Sequence, residues 1–398
     1  MIRRSTWWAA AAGLLLAGPA AAQPAALPPP YQGAYQPHGV DEIGLWHEAD
    51  EEERQLAASP LRIRDERLTG YVTSVLCATV GDDRCGSVRV YVIRAPMFNA
   101  SMTPNGTMRV YSGLLLRLRN EAELATVLGH EFGHYERRHT LAAFKERRSG
   151  TDAVAWMALL TSLGASYQTM QNFQNFQLAV YGGFFRHGRD QEREADKLGI
   201  AYLNRSSLRP QSATVVWQHM MAEAEASASA KGLKKPNFRY IAFAASHPPY
   251  AERAAYLAEL AAPDGADRDD GTERYRAALA PFLAQFLDDQ IKLNDFGASE
   301  YLIQNLATAG WTATLWLKRG DLYRTRGAPR DLAAAADFYA HAVQLDPTLA
   351  EAHRGLGLSL MKTGRPSEAV APLQTYLRLR PDAVDAGMIQ TIIPGGPQ

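Results

Sequence analysis

Apolar residues recur at helical spacing along most of the chain, and short β-branched runs interrupt this pattern only in the first third. The range Glu42–Leu76 has a helical pattern, which is clearest over Ile63–Val75. The ranges Val88–Ile93 and Met108–Tyr111 are instead β-branched or aromatic, and turn residues separate them, as is typical of strands. The pattern predicts a mainly α-helical fold with one small β-sheet.

A helix is expected to begin at Asn120, because an N-cap residue followed three positions later by Glu123 resembles a capping box. An apolar stripe follows at helical spacing, formed by Leu124, Val127, Leu128 and Phe132. On this helix His130 and His134 lie one turn apart on one face, so both imidazoles can reach one metal ion. Glu131 projects beside them, where it can take a proton from a water molecule. The alternative is a core helix with two incidental histidines.

A zinc site needs a third protein ligand and an open position for water. A third histidine six residues after the second one is excluded, because Thr140 stands there. The acidic run 189–196 supplies a glutamate from a later helix, since Glu192 and Asp196 are four residues apart and share a face. We expect Glu192 to bind the metal and Asp196 to orient a ligand. The alternative is an exposed acidic face.

These residues resemble the zinc metallopeptidases that include the CAAX prenyl protease and the heat-shock membrane protease HtpX. That family pairs HExxH with a downstream ExxAD, which here spans Glu192–Asp196. Two further stretches match, which are Asn99–Ser101 ahead of Pro104–Gly106, and Ser246–Pro249 followed by Arg253. The resemblance covers roughly residues 45–258. It implies a zincin-type (gluzincin) metalloprotease domain that binds one Zn²⁺ per chain.

The resemblance also implies roles for residues outside the two helices. It places His247 near the metal, either as a resting fourth ligand or as a hydrogen-bond donor to the developing oxyanion. Arg253 is the second candidate for stabilising that oxyanion, since its charge is permanent. Asn99, Ala100 and Gly106 are expected to contact substrate, because an edge strand can hold an extended peptide by main-chain pairing. A purely structural hairpin is the alternative.

Composition and the N-terminus suggest export. The 398 residues are 46% apolar, which is enough for two or three domains, and 42 acidic residues balance 42 basic ones, so nothing indicates a nucleic-acid partner. Residues 1–22 have the form of a signal peptide, with basic Arg3 and Arg4, an apolar stretch over 7–17 and small residues before cleavage near Ala22. We expect a periplasmic protein. An uncleaved anchor is the alternative.

The two cysteines are consistent with an exported protein. Cys77 and Cys85 are the only cysteines, and a Gly-Asp-Asp turn lies between them. In an oxidising compartment this arrangement predicts a disulfide. Because the loop it closes is small, it should add about 2–3 kcal/mol at most to the free energy of unfolding. Two buried free thiols are the alternative.

The chain divides into a Pro/Gln-rich linker at 23–41, a metallopeptidase domain at 42–262, an acidic linker at 263–271 and a helical domain at 272–398. Pro347 and Pro381 are 34 residues apart, the tetratricopeptide period. The preceding unit carries about three extra residues near Gly327–Pro329. Small and packing residues fall where such repeats need them, at Gly320, Tyr339, Gly357, Ala369, Leu373 and Tyr376. Such repeats offer a groove to a protein partner, whereas a cap on the protease is the alternative.

Residues 153–176 are first apolar and then rich in amides and aromatics, and the apolar part is too short to span a membrane. A lid or a surface touching unfolded substrate or membrane is one interpretation, and ordinary packed helices are the other.

The whole layout resembles bacterial periplasmic members of the family. This implies an exported endopeptidase for misfolded or stalled envelope proteins, with outer-membrane assembly machinery as a partner of the repeats. A chaperone or assembly factor with a latent protease site is the alternative.

Overall fold

The computed structural model describes residues 30–31, 35–162, 187–239 and 248–393. The helices before the third predicted ligand, Glu192, are α1 (Gly39–Ala58), α2 (Glu66–Val80), α3 (Asp82–Cys85), α4 (Ser112–Arg117), α5 (Glu121–Glu136) and α6 (His139–Ser162). Helix α7 covers 187–205 of the described residues. The later helices are α8 (Ser212–Ala230), α9 (Tyr250–Leu260), α10 (Thr272–Ile291), α11 (Phe296–Leu306), α12 (Ala313–Arg326), α13 (Pro329–Leu345), α14 (Ala350–Lys362), α15 (Pro366–Leu379) and α16 (Ala386–Ile392). The predicted mainly α-helical fold is confirmed.

The predicted small sheet is also confirmed, with three strands in the order β1–β3–β2. They are β1 (Arg89–Ile93), β2 (Ala100–Met102) and β3 (Thr107–Tyr111). β1 pairs with β3 in parallel, whereas β2 pairs with β3 antiparallel and places Ala100 opposite Val110. β2 is therefore an edge strand, and it forms the hairpin with β3.

The helical pattern predicted over Glu42–Leu76 is interrupted by an extended segment at residues 59–65. Pro60 lacks a backbone N–H and disfavours helix at the preceding residue, so α1 ends there. Ile63, predicted as helical, instead donates its backbone N–H to the Val92 carbonyl at 2.9 Å. Helix α2 begins only after Asp65, whose carboxylate caps it.

One hydrophobic core extends across the predicted acidic linker. Leu76 of α2, Val92 of β1 and Leu128 of α5 belong to the same buried cluster as Phe286 of α10 and Leu302 of α11. The linker itself is bonded to the preceding part of the chain, because the backbone N–H groups of residues 122 and 209 donate to the carbonyls of residues 270 and 269, each at 3.1 Å. The first helices after the linker thus pack as part of the expected peptidase domain.

The last helices pair as α12 with α13 and α14 with α15, and the predicted packing positions meet within these pairs. A Cβ at Gly320 would lie 2.6 Å from the Tyr339 ring, and one at Gly357 would lie 2.4 Å from Leu373. Helix α13 has 17 residues where α15 has 14. The extra residues expected near Gly327–Pro329 therefore belong to the longer α13. The tetratricopeptide assignment stays a prediction.

The predicted N-terminal linker is partly packed. The Tyr31 ring lies 5.7 Å from the Phe132 ring, and its hydroxyl donates to Glu136 of α5 at 2.8 Å. Residues 39–41 already belong to α1. The expected signal peptide at 1–22 lies outside the described residues.

The expected disulfide is present between Cys77 and Cys85, whose Cα atoms are 5.2 Å apart. It links the end of α2 to the short helix α3, close to the start of the sheet.

Within the described ranges, no helix is both long and apolar enough to cross a lipid bilayer.

Candidate metal centre

Helix α5 begins as the sequence predicts. The Asn120 side chain accepts a hydrogen bond from the Glu123 backbone N–H at 2.8 Å. Glu123 in return accepts from the Arg119 backbone N–H at 2.9 Å. These two bonds satisfy backbone N–H groups at the start of the helix. Leu124, Leu128 and Phe132 are fully buried along the turns that follow.

Helices α5 and α7 approach each other closely because small residues line their contact. A Cβ at Gly129 would lie 3.3 Å from the Gly199 Cα, and one at Gly133 would lie 3.2 Å from the Ala195 carbonyl oxygen. Any larger side chain at these positions would push the helices apart. The close approach is what brings Glu192 and Asp196 of α7 alongside His130 of α5.

The three predicted metal ligands converge on one point. The Nε2 atoms of His130 and His134 are 3.1 Å apart. Carboxylate oxygens of Glu192 lie 3.4 Å from the His130 Nε2 and 3.3 Å from the His134 Nε2. Ligand atoms bound at 2.0–2.1 Å around a tetrahedral zinc ion are separated by about 3.3 Å, so these spacings fit such an ion. We call these three side chains the metal cradle.

Asp196 orients His130, in the role expected for it. Its Oδ1 lies 2.8 Å from the His130 Nδ1, so that nitrogen donates its proton and Nε2 keeps a lone pair for a metal. Arg253 donates from Nε to the other oxygen at 2.8 Å, and the Tyr256 hydroxyl donates to the same oxygen. Although burial opposes ionisation, Arg253 and His130 hold the pKa of Asp196 well below its usual range. The carboxylate is therefore an anion fixed in place.

His139 has a matching role beside the second ligand, and the sequence analysis did not identify it. Its Nδ1 lies 2.9 Å from the His134 Nδ1, and its Nε2 lies 3.3 Å from a carboxylate oxygen of Glu194. Burial, with the nearby His134, lowers the pKa of His139 to about 4, so the ring is neutral. A neutral His139 accepts the His134 Nδ1 proton and donates its own to Glu194, which leaves His134 Nε2 free to bind a metal.

Glu131 lies beside the metal cradle on the wall of a cleft of about 190 Å³. Its side chain is half-buried, and burial raises the pKa of its carboxyl group. A carboxylate with a raised pKa next to a metal is suited to accept a proton from water and pass it on. The other lining residues include Phe98, Asn99, Ala100, Leu114, Trp217, Tyr250 and Arg253.

The three residues expected to contact substrate do not all lie at the cleft. Asn99 and Ala100 line the cleft, and Ala100 begins the edge strand β2. Gly106 is not among the residues lining this cleft in the described part of the chain. It lies in the β2–β3 turn with φ of +89°, where a Cβ would come within 2.7 Å of the Ser87 carbonyl oxygen. A glycine is therefore needed here for the backbone conformation and the close approach of Ser87, and not for contact with substrate.

Arg253 lies where the resemblance placed it, but it is already engaged. Its guanidinium bonds Asp196 through two nitrogens and stacks 3.6 Å above the Trp217 ring centroid. The structure thus shows a positioning role, and oxyanion stabilisation stays a prediction. His247 lies outside the described residues, as does the whole amide-rich part of 153–176, so their expected roles stay predictions too.

Comparison with known proteins gives several relatives. The chain is 28% identical over 193 residues to the mitochondrial metalloendopeptidase OMA1 of Schizosaccharomyces pombe, which is 48% of this chain and 52% of that protein. It is 31% identical over 167 residues to the beta-barrel assembly-enhancing protease of Yersinia pestis, covering 40% of this chain and 34% of that one. It is 28% identical over 185 residues to the same protease of Escherichia coli, covering 44% of this chain and 37% of that one. The chain spans about a third to a half of the length of these curated relatives.

A family model agrees with these relatives and with the geometry. Peptidase family M48 matches residues 66–261, a range that contains α5, α7, the metal cradle and the cleft. The resemblance to zinc metallopeptidases inferred from the motifs is thereby confirmed, and the chain contains a metallopeptidase domain of family M48.

Proposed function

We propose that this chain is a zinc endopeptidase that cleaves unfolded or stalled proteins of the cell envelope. The observation that carries the proposal is the metal cradle, because the two Nε2 atoms and the Glu192 carboxylate lie at spacings that suit tetrahedral zinc ligands, and Glu131 lines the same cleft. Zn²⁺ bound there would polarise a carbonyl group and lower the pKa of a water molecule.

The chain's own residues account for the remaining steps. The outer edge of β2, the terminal strand of the described sheet, pairs with an extended peptide and lays it along the cleft beside Asn99 and Ala100. Glu131 accepts a proton from the attacking water and then donates it to the leaving nitrogen. Asp196 and His139 hold the two imidazoles in the orientation that these steps need.

The substrate class and the location are further parts of the proposal. An extended, edge-paired substrate must be unfolded locally, which favours misfolded or unassembled proteins over folded ones. Export to the periplasm is supported by the signal-like residues 1–22 and by the disulfide between Cys77 and Cys85. The likeness to beta-barrel assembly-enhancing proteases supports a role in outer-membrane protein quality control.

The test is casein degradation by the purified full chain, with and without a zinc chelator. We expect cleavage that stops with chelator and returns when zinc is added back. Glu131→Gln should slow cleavage by about 10²–10⁴-fold while zinc stays bound. Glu259→Gln is the matched control, because Glu259 is exposed on α9 and outside the cleft. Cleavage by the Glu131→Gln variant at the wild-type rate would contradict the proposed role of Glu131.

A second candidate function, a binding or assembly factor with a latent protease site, has one observation in its favour. Trp316 on α12 stacks against Trp311 at 4.0 Å and against the exposed His341 at 4.7 Å. Trp311 and Trp316 are half-buried, so only part of this aromatic cluster reaches the surface, where it suits contact with a protein partner. Complementation of a deletion strain separates the two functions, because the binding role survives Glu131→Gln and the peptidase role does not.

A further inference from the structure

A second cavity lies between α4 and the helices α10 to α12, and we call it the seam cavity. It has a volume of about 290 Å³ and is lined mainly by apolar side chains. They include Leu115 and Leu116 of α4, Leu279, Leu283 and Phe286 of α10, and Leu315 of α12. This size is near the lower end of the range for small-molecule sites, and none of its lining residues belongs to the cleft of the metal centre.

Two polar side chains in the wall of the seam cavity lack acceptors. Arg119 is half-buried, and within the described ranges its guanidinium forms no ion pair or side-chain hydrogen bond. The Asn305 Nδ2 is buried and has no hydrogen-bond partner. Arg276, also in the wall, is by contrast exposed and paired with Glu273 at 3.1 Å. A buried donor without an acceptor is costly, so Asn305, together with the unpaired positive charge of Arg119 in the same wall, points to a ligand that carries an anionic acceptor.

The apolar lining defines the rest of that ligand. A peptide in this cavity would bury several amide groups, each needing its own partner, and the leucine-rich wall offers few. An alkyl chain that ends in one carboxylate needs only one or two donors and gains free energy from every buried methylene. We propose that the seam cavity binds the anion of a medium-chain fatty acid. The carboxylate lies toward Arg119 and Asn305, and the alkyl chain lies among the leucines.

Titration calorimetry of the full-length protein with dodecanoate, kept below its micelle concentration, tests this proposal. We expect saturable binding at one site per chain. Arg119→Met keeps the aliphatic stem but removes the charge, and should weaken binding about ten- to a hundredfold. Arg378→Met is the matched control, because Arg378 is an exposed residue of α15 outside the cavity, and should leave affinity unchanged.

A second variant distinguishes a loss of ligand binding from a loss of the folded structure. Ala280 is exposed on α10 and lines the cavity, so Ala280→Trp fills the space from outside and should abolish binding. The unfolding temperature of each variant without ligand checks that its fold is kept. Dodecan-1-ol, which lacks the anion, should bind wild type and Arg119→Met with equal affinity.

Three results would overturn the proposal. They are no saturable binding of dodecanoate to wild type, unchanged affinity in both Arg119→Met and Ala280→Trp, and tighter binding of an acetylated apolar dipeptide than of dodecanoate. The last result would assign the site to peptide C-termini instead. None of these outcomes depends on peptidase activity, since the metal cradle lies outside the seam cavity.

Discussion

Two helix contacts in this molecule use the same packing device for different purposes. Where α5 meets α7, a Cβ at Gly199 would lie 3.0 Å from the His130 backbone nitrogen. Where α12 meets α13, a Cβ at Gly320 would lie 2.6 Å from the Tyr339 ring. In both places glycine lets two helices approach more closely than larger residues allow.

The contacts differ in what the close approach brings together. Beside the α5–α7 contact, Asp196 and Arg253 are 3% and 4% exposed and hold the metal cradle in position. Around the Tyr339 ring the neighbours are apolar, including Leu317 and Ala335, and its hydroxyl bonds the half-buried Arg324 and Asp321 rather than a metal site. Buried charges are stabilising only when every partner is present, whereas apolar packing tolerates graded change. A single substitution should therefore affect stability and metal binding together in the first region, and stability alone in the second.

The largest effect is expected for Asp196→Asn. The amide keeps the shape of the side chain but leaves the buried charge of Arg253 without an anion, which costs about 3–5 kcal/mol. Zinc affinity should also fall about 10–100-fold, because His130 loses the acceptor that orients it. Urea unfolding and a zinc competition titration measure the two losses.

Asp264→Asn is the matched control for this variant, since the Asp264 side chain is 79% exposed. A stability loss below about 1 kcal/mol in Asp196→Asn, together with unchanged zinc affinity, would contradict the coupling of the two properties.

A smaller effect, dependent on pH, is expected at the start of α5. Burial raises the pKa of Glu123 from 4.5 to about 7 in the folded state. The folded protein therefore binds more protons than the unfolded chain between these values, so stability should fall as pH rises from 4.5 to 7. Glu123→Gln removes this dependence and should raise the free energy of unfolding at pH 8 by about 2–3 kcal/mol.

Urea unfolding at pH 5 and at pH 8 measures the Glu123 effect. The wild type and Glu123→Gln should differ little at pH 5 and most at pH 8, with zinc content equal in both. A variant that is destabilised at pH 8 would show that the ionised carboxylate stabilises the helix start instead.

The smallest effect is expected for Gly357→Leu at the contact of α14 with α15, which adjoins the second region. The new side chain would overlap Leu373, which should cost about 1–3 kcal/mol of stability and leave casein cleavage unchanged. Gly387→Leu is the control, because a Cβ at Gly387 on α16 meets no atom within 4 Å. Loss of cleavage in folded Gly357→Leu protein would show that the two regions are coupled.

The metal cradle was predictable from sequence because its parts are local patterns. His130 and His134 share one turn and Glu192 and Asp196 share another, which helical periodicity shows, and the resemblance to the family's ExxAD motif favours Glu192 as a ligand over an exposed acidic face. His139 was not predictable in this way. It reaches His134 only because the chain reverses at Arg138, which has a φ of +54°, a backbone conformation that the residue type does not signal.

Features set by distant contacts were also missed. Strand β2 has three residues, too few to show an alternating pattern. The breaker-rich residues 263–271 indicate a turn, but composition does not reveal whether the flanking segments share a core. Here they do, since the Tyr275 hydroxyl after the linker donates to the Leu115 carbonyl before it at 2.6 Å.

The zinc content of the purified protein, compared with that of Glu192→Gln, tests the central claim most directly. Glu192 is the ligand that joins α7 to α5, so its loss should reduce zinc from one ion per chain to a small fraction of that value. Glu259→Gln should keep the full complement. A Glu192→Gln protein that still carries one zinc per chain would contradict the account of the metal cradle.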